Sequence, residues 1–276
     1  MQVRFVDIDG VNTRYYVAGE GPALLLIHGV GASADVWSRV MEALGERFTV
    51  YAPDLIGHGF TDAVDFAGAP PQQVQLRQLL GFVDRLGIGR FAAAGASFGA
   101  LLAALMYFAR PDTVERLVLI GSGSVFNPPD EQAEVLQAVL RNQIGAMRNP
   151  SRDTIRARNA GSTYGKADIF EEIVLTQLTA YALPGRERAL QQTVDGLIAT
   201  VRSSEYRVLE RLEQIAVPTL VLTGRDDPRA GWQHVETGCR RMPQATMRIF
   251  EACGHKPYSE HPRAFTEAVL GFLAEA

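Results

Sequence analysis

The chain has 276 residues, of which 47% are hydrophobic and 21% charged, and its formal net charge is −4. This length can bury the core of one α/β domain together with a sizeable insertion. The charge balance, with no run of basic residues, argues against a nucleic-acid-binding face. Two cysteines are too few for a disulfide framework and lack the spacing of zinc ligands, so we expect no metal site and a cytoplasmic location. The first residues also lack the pattern of an export signal.

Strands and helices alternate through the first half of the chain. Residues 4–8 and 13–17 flank an Asp9-Gly10 turn signal and predict a hairpin. Further strands are predicted at 23–27, 49–52, 91–94 and 117–120, and helices at 37–44, 74–86 and 100–108. This order predicts a mainly parallel sheet with helices on both faces.

Residues 127–205 break this rhythm, because they contain apolar stripes at helical spacing and no convincing strand. The stripes are Val135, Leu136, Val139, Leu140 and Ile144; Ile169, Phe170, Ile173, Val174 and Leu178; and Leu190, Val194, Leu197, Ile198 and Val201. Strands resume at 219–223 and 247–250, and a helix at 262–273 closes the pattern. We therefore expect a core formed by 1–126 and 206–276 and a helical insertion at 127–205.

Residues 91–109 carry no charge and are long enough to span a membrane. Gly95, Ser97 and Gly99 interrupt the stretch, which is also rich in alanine. A buried strand that turns into a buried helix gives the same composition, so we expect no membrane span.

The same stretch contains a candidate nucleophile. Gly95-Ala96-Ser97-Phe98-Gly99 matches G-x-S-x-G, the pattern of a nucleophile elbow between a strand and a helix. A sharp turn there forces the serine oxygen into open space, and the helix that follows offers unpaired N–H groups to a developing anion. We therefore predict that Ser97 is the nucleophile.

A serine nucleophile needs a base and an acid that orients the base. His255 follows a predicted strand, at the edge where open α/β sheets place their ligands, and is the expected base. Asp226 and Asp227 follow the preceding strand, and position alone does not choose between them. The oxyanion hole is expected to use the backbone N–H of Phe98 and that of Val30.

A dinucleotide-binding domain is a competing interpretation. Gly29-Val30-Gly31-Ala32-Ser33-Ala34 also reads as G-x-G-x-x-A after a strand, and Asp54 stands at the distance of a ribose-binding acid. That interpretation leaves Ser97, Asp227 and His255 unexplained.

Five motifs in order give the chain a resemblance to the α/β-hydrolase superfamily over nearly its whole length. They are residues 28–33, 53–62, 95–99, 224–227 and 254–262. The resemblance implies that Asp227 is the acid, that His58 is architectural, that residues 127–205 form a cap over the pocket, and that no cofactor is needed. Ser97 argues against haloalkane dehalogenases and epoxide hydrolases, which use aspartate.

Within the superfamily, the chain is similar to carboxylesterases, lactonases and carbon–carbon hydrolases of aromatic ring-cleavage products. Ala96 and Lys256 stand where the last group usually carries Asn and Trp. Hydrolysis of an ester or lactone of a small, largely apolar substrate is therefore the first expectation, and carbon–carbon bond hydrolysis is the alternative. A small-molecule receptor with little turnover is the alternative of another class.

Three arginines of the insertion, Arg152, Arg156 and Arg158, have two interpretations. One of them meets an acidic group of the substrate, or all three belong to a solvated face.

Overall fold

The computed structural model describes residues 1–166 and 170–274. The strands in these ranges are β1 (Gln2–Ile8), β2 (Val11–Ala18), β3 (Ala23–Ile27), β4 (Thr49–Pro53), β5 (Phe91–Ala96), β6 (Val114–Ile120), β7 (Thr219–Gly224) and β8 (Ala245–Phe250). They form one sheet in the order β1-β2-β4-β3-β5-β6-β7-β8. The pairs β1–β2 and β2–β4 are antiparallel, and every later pair is parallel. The predicted hairpin and mainly parallel sheet are confirmed.

The helices are α1 (Ser38–Leu44), α2 (Pro71–Arg85), α3 (Phe98–Ala109), α4 (Gly123–Phe126), α5 (Pro129–Arg148), α6 (Arg152–Ala160), α7 (Glu171–Tyr181), α8 (Arg186–Ala199), α9 (Trp232–Cys239), α10 (Pro257–Glu260) and α11 (Pro262–Ala274). Short 3-10 helices cover Ala34–Trp37, Tyr164–Lys166 and Val208–Gln214.

The central strands are buried on both faces, which explains their continuous apolar sequences. In β3, Leu24 and Leu26 point to the side covered by α1 and α11, while Leu25 and Ile27 point to the side of α2 and α3. Each of these side chains is at most 1% exposed. Burial of one such side chain contributes about 1.5–3 kcal/mol. Two apolar layers therefore hold the sheet rigidly and fix the positions of its strand ends.

Between β6 and β7 the described residues contain helices and no strand. Helix α5 packs against α8, and α6 packs against α7. The apolar stripes at 135–144 and 190–201 fall mainly on α5 and α8. Of the stripe that begins at Ile169, the first residue lies outside the described ranges. The division into a core and a cap at 127 and 205 stays a prediction.

Residues 91–109 form β5 and most of α3. No helix among the described residues is long and apolar enough to cross a membrane.

Candidate active site

Ser97 lies at the sharp turn between β5 and α3. Its backbone adopts φ 56° and ψ −118°, a strained conformation for a residue with a side chain. The flanking glycines make the turn possible: a Cβ on Gly95 would lie 2.1 Å from the Gly99 oxygen, and a Cβ on Gly99 would lie 2.2 Å from the Ile27 oxygen. The Ser97 N–H donates to the Ile120 oxygen at 2.8 Å, which ties the turn to β6. The local geometry is that of a nucleophile elbow.

His255 and Asp227 meet at the carboxyl ends of β8 and β7. His255 Nδ1 lies 2.8 Å from Asp227 Oδ2 and 3.0 Å from Oδ1. Asp227 Oδ1 also accepts the N–H groups of Arg229 at 2.8 Å and Ala230 at 3.3 Å, so the carboxylate is fixed. Because Nδ1–H donates to the carboxylate, Nε2 carries the lone pair that can take a proton. Asp226 lies apart from this pair, with an exposed side chain.

Burial of His255 lowers its pKa, and the Asp227 carboxylate opposes that effect by favouring the imidazolium. A lowered pKa keeps the ring neutral at neutral pH. The imidazole is then available as a base.

The two predicted oxyanion donors belong to the residue that follows Ser97 and to the turn that follows β3. Phe98 is the first residue of α3, where a backbone N–H has no acceptor within the helix. Val30 lies in the turn after β3 and lines a cavity together with Ser97. That turn is held from above: the Val30 oxygen accepts Gln143 Nε2 at 3.2 Å, and the Gly31 oxygen accepts the Tyr181 hydroxyl at 2.6 Å. The role of Val30 and Phe98 as an oxyanion hole stays a prediction.

Three basic side chains line the cavity that contains Ser97 and His255. They are Arg158 from α6, Arg229 after β7, and Lys256 before α10. Lys256 Nζ donates to Asn159 Oδ1 at 2.6 Å, and Arg158 Nη1 donates to the same oxygen at 3.2 Å. Within residues 1–166 and 170–274, no carboxylate forms an ion pair with any of the three. The cavity is therefore suited to an anionic group.

Burial also shifts the titration of these groups. It lowers the pKa of Arg229 to about 10, and the charge of Arg158 acts in the same direction. The pKa of Lys256 is lowered well below its ordinary value, first by burial and then by Arg158 and Arg229.

The three arginines singled out in the sequence have different surroundings. Arg152 and Arg156 pair with Glu171 at the surface, whereas Arg158 is 5% exposed and faces the cavity. Arg158 Nη2 donates to the Gly31 oxygen at 2.8 Å, so this side chain also supports the turn that carries Val30.

His255 lies in the loop of residues 251–256 between β8 and α10, which we call the histidine loop. Glu260 joins this loop to the segment that follows α6. Its Oε2 accepts the N–H groups of Tyr164 and Gly254, both at 2.8 Å, and Oε1 accepts that of Lys256 at 2.9 Å. The His255 N–H also donates to the Ser162 oxygen at 2.8 Å. Residues 162–164 therefore help to hold the loop that carries the candidate base.

A second cavity shares Val30, Ser97 and Arg229 with the first one. Its walls include Phe98 and three side chains of α5, Val135, Leu136 and Val139. Ser97 therefore lines two cavities, a basic compartment that also contains Arg158 and Lys256 and a more apolar compartment that also contains Phe98 and side chains of α5. Arg229 lines both of them.

The Asp54 carboxylate is buried and hydrogen-bonded within the protein, so it is not available to bind a ribose. It is fully buried, accepts Arg14 Nε at 2.6 Å, and also accepts the N–H groups of Ala34 at 2.7 Å and Phe60 at 2.8 Å. The structure therefore gives no support to the dinucleotide interpretation. His58 is likewise buried, with Nδ1 bonded to the Ile56 oxygen at 3.0 Å.

Comparison with known proteins identifies the family. Residues 24–268 match the Alpha/beta hydrolase family, which covers most of the chain. The chain belongs to that family.

The relatives of this alpha/beta hydrolase include enzymes with named activities. The 2-hydroxy-6-oxononadienedioate/2-hydroxy-6-oxononatrienedioate hydrolase of Burkholderia vietnamiensis is 31% identical, over 96% of this chain and 92% of its own length. The 2-hydroxymuconate semialdehyde hydrolase of Pseudomonas sp. (strain CF600) is 28% identical, over 97% and 92%. Among solved structures, the meta-cleavage product hydrolase CumD of Pseudomonas fluorescens IP01 has a TM-score of 0.82 at 25% identity, with 99% of this chain and 97% of that one covered.

The sequence did not assign a role to several residues that line or support the site of this hydrolase. Arg229, Asn159 and Glu260 are the main examples. For Arg229 alone, the sequence offers a usable signal, because this residue follows the motif that contains the candidate acid. The sequence suggests no role for Lys256, which directly follows His255 and stands where related carbon–carbon hydrolases usually carry Trp.

Proposed function

We propose that this hydrolase cleaves the carbon–carbon bond of a small vinylogous diketone that carries a carboxylate at one end. The observation that carries the proposal is the cavity in which Ser97 and His255 lie beside Arg158 and Arg229. The relatives favour this reaction, because their names describe hydrolases of 2-hydroxy-6-oxo acids and of 2-hydroxymuconate semialdehyde. The sequence alone put esters and lactones first and this reaction second.

In the proposed reaction, the substrate is in its keto form, and Ser97 Oγ attacks the ketone or aldehyde carbonyl beside the bond that breaks while His255 Nε2 takes the serine proton. The N–H groups of Phe98 and Val30 stabilise the oxyanion that forms. Collapse of the tetrahedral intermediate breaks the carbon–carbon bond, and the imidazolium returns the proton to the departing carbon. Water then attacks the acyl-enzyme with His255 again as the base, releasing a carboxylic acid and free Ser97.

The basic side chains assist the cleavage step, in which carbon is a poor leaving group. A carbon leaving group departs with an electron pair, which conjugation delocalises toward the carboxylate end of the substrate. Arg158 and Arg229 are placed to bind that end and stabilise the added charge, and electrostatic stabilisation is strong where the bound substrate excludes water. The apolar compartment beside Phe98 and α5 suits the acyl fragment.

Ester hydrolysis is the second candidate. Ala96 lines the cavity, and Ala96 and Lys256 replace the Asn and Trp that carbon–carbon hydrolases usually carry there. An ester leaving group needs only the proton from His255, so the same residues suffice. The basic compartment then predicts an ester whose acyl or alcohol part is acidic.

The test compares 2-hydroxymuconate semialdehyde with p-nitrophenyl acetate and p-nitrophenyl hemisuccinate on the wild-type protein and Ser97→Ala. We expect turnover of the semialdehyde, followed by loss of its visible absorbance, and a fall of about 10³-fold or more in Ser97→Ala. Turnover of the esters alone would favour the second candidate. Full activity in Ser97→Ala would overturn both.

A matched pair of variants tests the role of Arg158. Arg158→Gln should raise KM for the semialdehyde about tenfold or more, because a charge-assisted contact is lost. Arg152→Gln removes a similar charge from the same helix, where the side chain is 62% exposed, and should leave KM unchanged.

Fluorophosphonate labelling of the wild type but not of Ser97→Ala is also expected. No labelling and no turnover would instead favour a receptor.

A further inference from the structure

The basic compartment holds more hydrogen-bond donors than one carboxylate can use. Lys256 Nζ donates one of its three N–H groups to Asn159, and the other two remain available to a ligand. Arg158 Nε is buried without a partner, although the other guanidinium nitrogens are bonded to Gly31, Asn159 and Gln177. The Arg229 guanidinium forms no hydrogen bond to any residue in the described ranges. Donors from three separate segments therefore converge on one cavity.

Charge leads to the same conclusion. Asp227 and Glu260 are the carboxylates nearest this compartment, and both are engaged by backbone N–H groups, Asp227 also by His255. A third cation beside two arginines is costly to bury unless an anion compensates it. A single carboxylate compensates one of the arginines and leaves the lysine without a counterion.

We propose that Lys256 is a specificity-determining residue that, with Arg158 and Arg229, selects a head group bearing two negative charges. Such a head group is a pair of carboxylates on neighbouring carbons or one carbon apart. The inference deepens the proposed function, because it names the acidic end of the substrate that the same site binds.

The protonation of Lys256 is consistent with this role. Burial, Arg158 and Arg229 lower the pKa of Lys256, and Glu260 acts in the opposite direction. His255 and Tyr258 line the same cavity. A dianion placed among these groups favours the ammonium form of the lysine.

Malonate and propionate are suitable probes, because they have the same number of carbons and differ by one carboxylate. Isothermal titration of the wild-type protein at pH 7 should give a Kd for malonate at least tenfold lower than that for propionate. In Lys256→Met this preference should fall below threefold, while the Kd for propionate changes less than threefold. Lys256→Arg should keep the preference, because it keeps a charge at the position.

Arg263→Met is the control for net charge, since this arginine is 93% exposed on α11. It should keep the malonate preference of the wild type. An unchanged preference in Lys256→Met would overturn the inference, as would a wild-type protein that binds both acids equally. These results are independent of the reaction: carbon–carbon cleavage with no malonate preference rejects only the inference, and the preference without carbon–carbon cleavage rejects only the proposed function.

Discussion

Asp226 and Asp227 are adjacent in the chain, but their carboxylates lie in opposite environments. Asp227 is 8% exposed and bonded to His255, whereas the side chain of Asp226 is exposed. Sequence position alone left both open, and only the family pattern favoured Asp227. Successive side chains of this loop point in different directions, so one carboxylate is buried and the other is exposed.

This contrast gives a prediction at the scale of single residues. Asp227→Asn should lower kcat by about 10⁴-fold, because an amide cannot hold the His255 tautomer that leaves Nε2 free. Asp226→Asn is the matched control and should keep kcat within about twofold. Steady-state kinetics with the best substrate of the panel measures both. Equal losses in the two variants would contradict the assignment of the acid.

Other residues of the site could not be read from the sequence. Ser97 follows from a local rule, since a strand, a tight turn and a helix succeed one another within a few residues. Arg158 and Lys256 are far apart in the chain and share Asn159 only because α6 lies over the loop after β8. No local pattern specifies such a meeting, which is set by how the helices pack.

At the scale of elements, burial explains which ones the sequence predicted. Strands β3 and β5 were predicted because nearly all their side chains are apolar and covered on both faces. The apolar pattern does not predict helix α6, because Ile155 is the only aliphatic residue among the buried residues of this helix. A weaker local signal was present, since Ser151 and Thr154 form a capping box at its start.

Glu260 at the end of α10 gives a prediction about how elements are joined. Its two oxygens accept three backbone N–H groups from two segments, and Glu260→Gln replaces one oxygen by a donor that faces those groups. We expect the free energy of unfolding to fall by about 1.5–3 kcal/mol. Because His255 lies in the same loop, kcat/KM should also fall, by about tenfold.

Urea unfolding and steady-state kinetics measure the two effects. Glu267→Gln is the control, because this carboxylate is 59% exposed on α11 and pairs only with Arg263 in the described structure. It should change neither quantity appreciably. A Glu260→Gln variant with wild-type kcat/KM would show that the loop does not need this anchor.

At the scale of the whole molecule, buried histidines tie stability to pH. His28 Nδ1 donates to the Gly29 oxygen at 2.8 Å, and its Nε2 accepts the Leu55 N–H at 3.0 Å. Burial lowers the pKa of His28 to about 4, and that of His58 to about 3. Protonation of His28 would place a second donor against the Leu55 N–H, so the folded state excludes the charge.

The sign follows from the protons bound. Below about pH 6.5 the unfolded chain protonates His28 while the folded protein does not, so stability falls as pH drops toward 4. His28 alone should contribute about 1.4 kcal/mol per pH unit in that range. His28→Asn should reduce the slope of unfolding free energy against pH, measured by urea titration. An unchanged slope in His28→Asn would contradict this assignment.

The position of the histidine loop has a consequence for fragments of this protein. Ser97 is supplied by the middle of the sheet, whereas His255, Lys256 and Glu260 come from a short stretch that follows the last strand. A polypeptide that stops before β8 therefore carries the proposed nucleophile without the proposed base and without Lys256. We expect such a fragment to be inactive, and restored turnover on adding a separate peptide that contains β8 to α11 would make the chain a candidate for a split reporter.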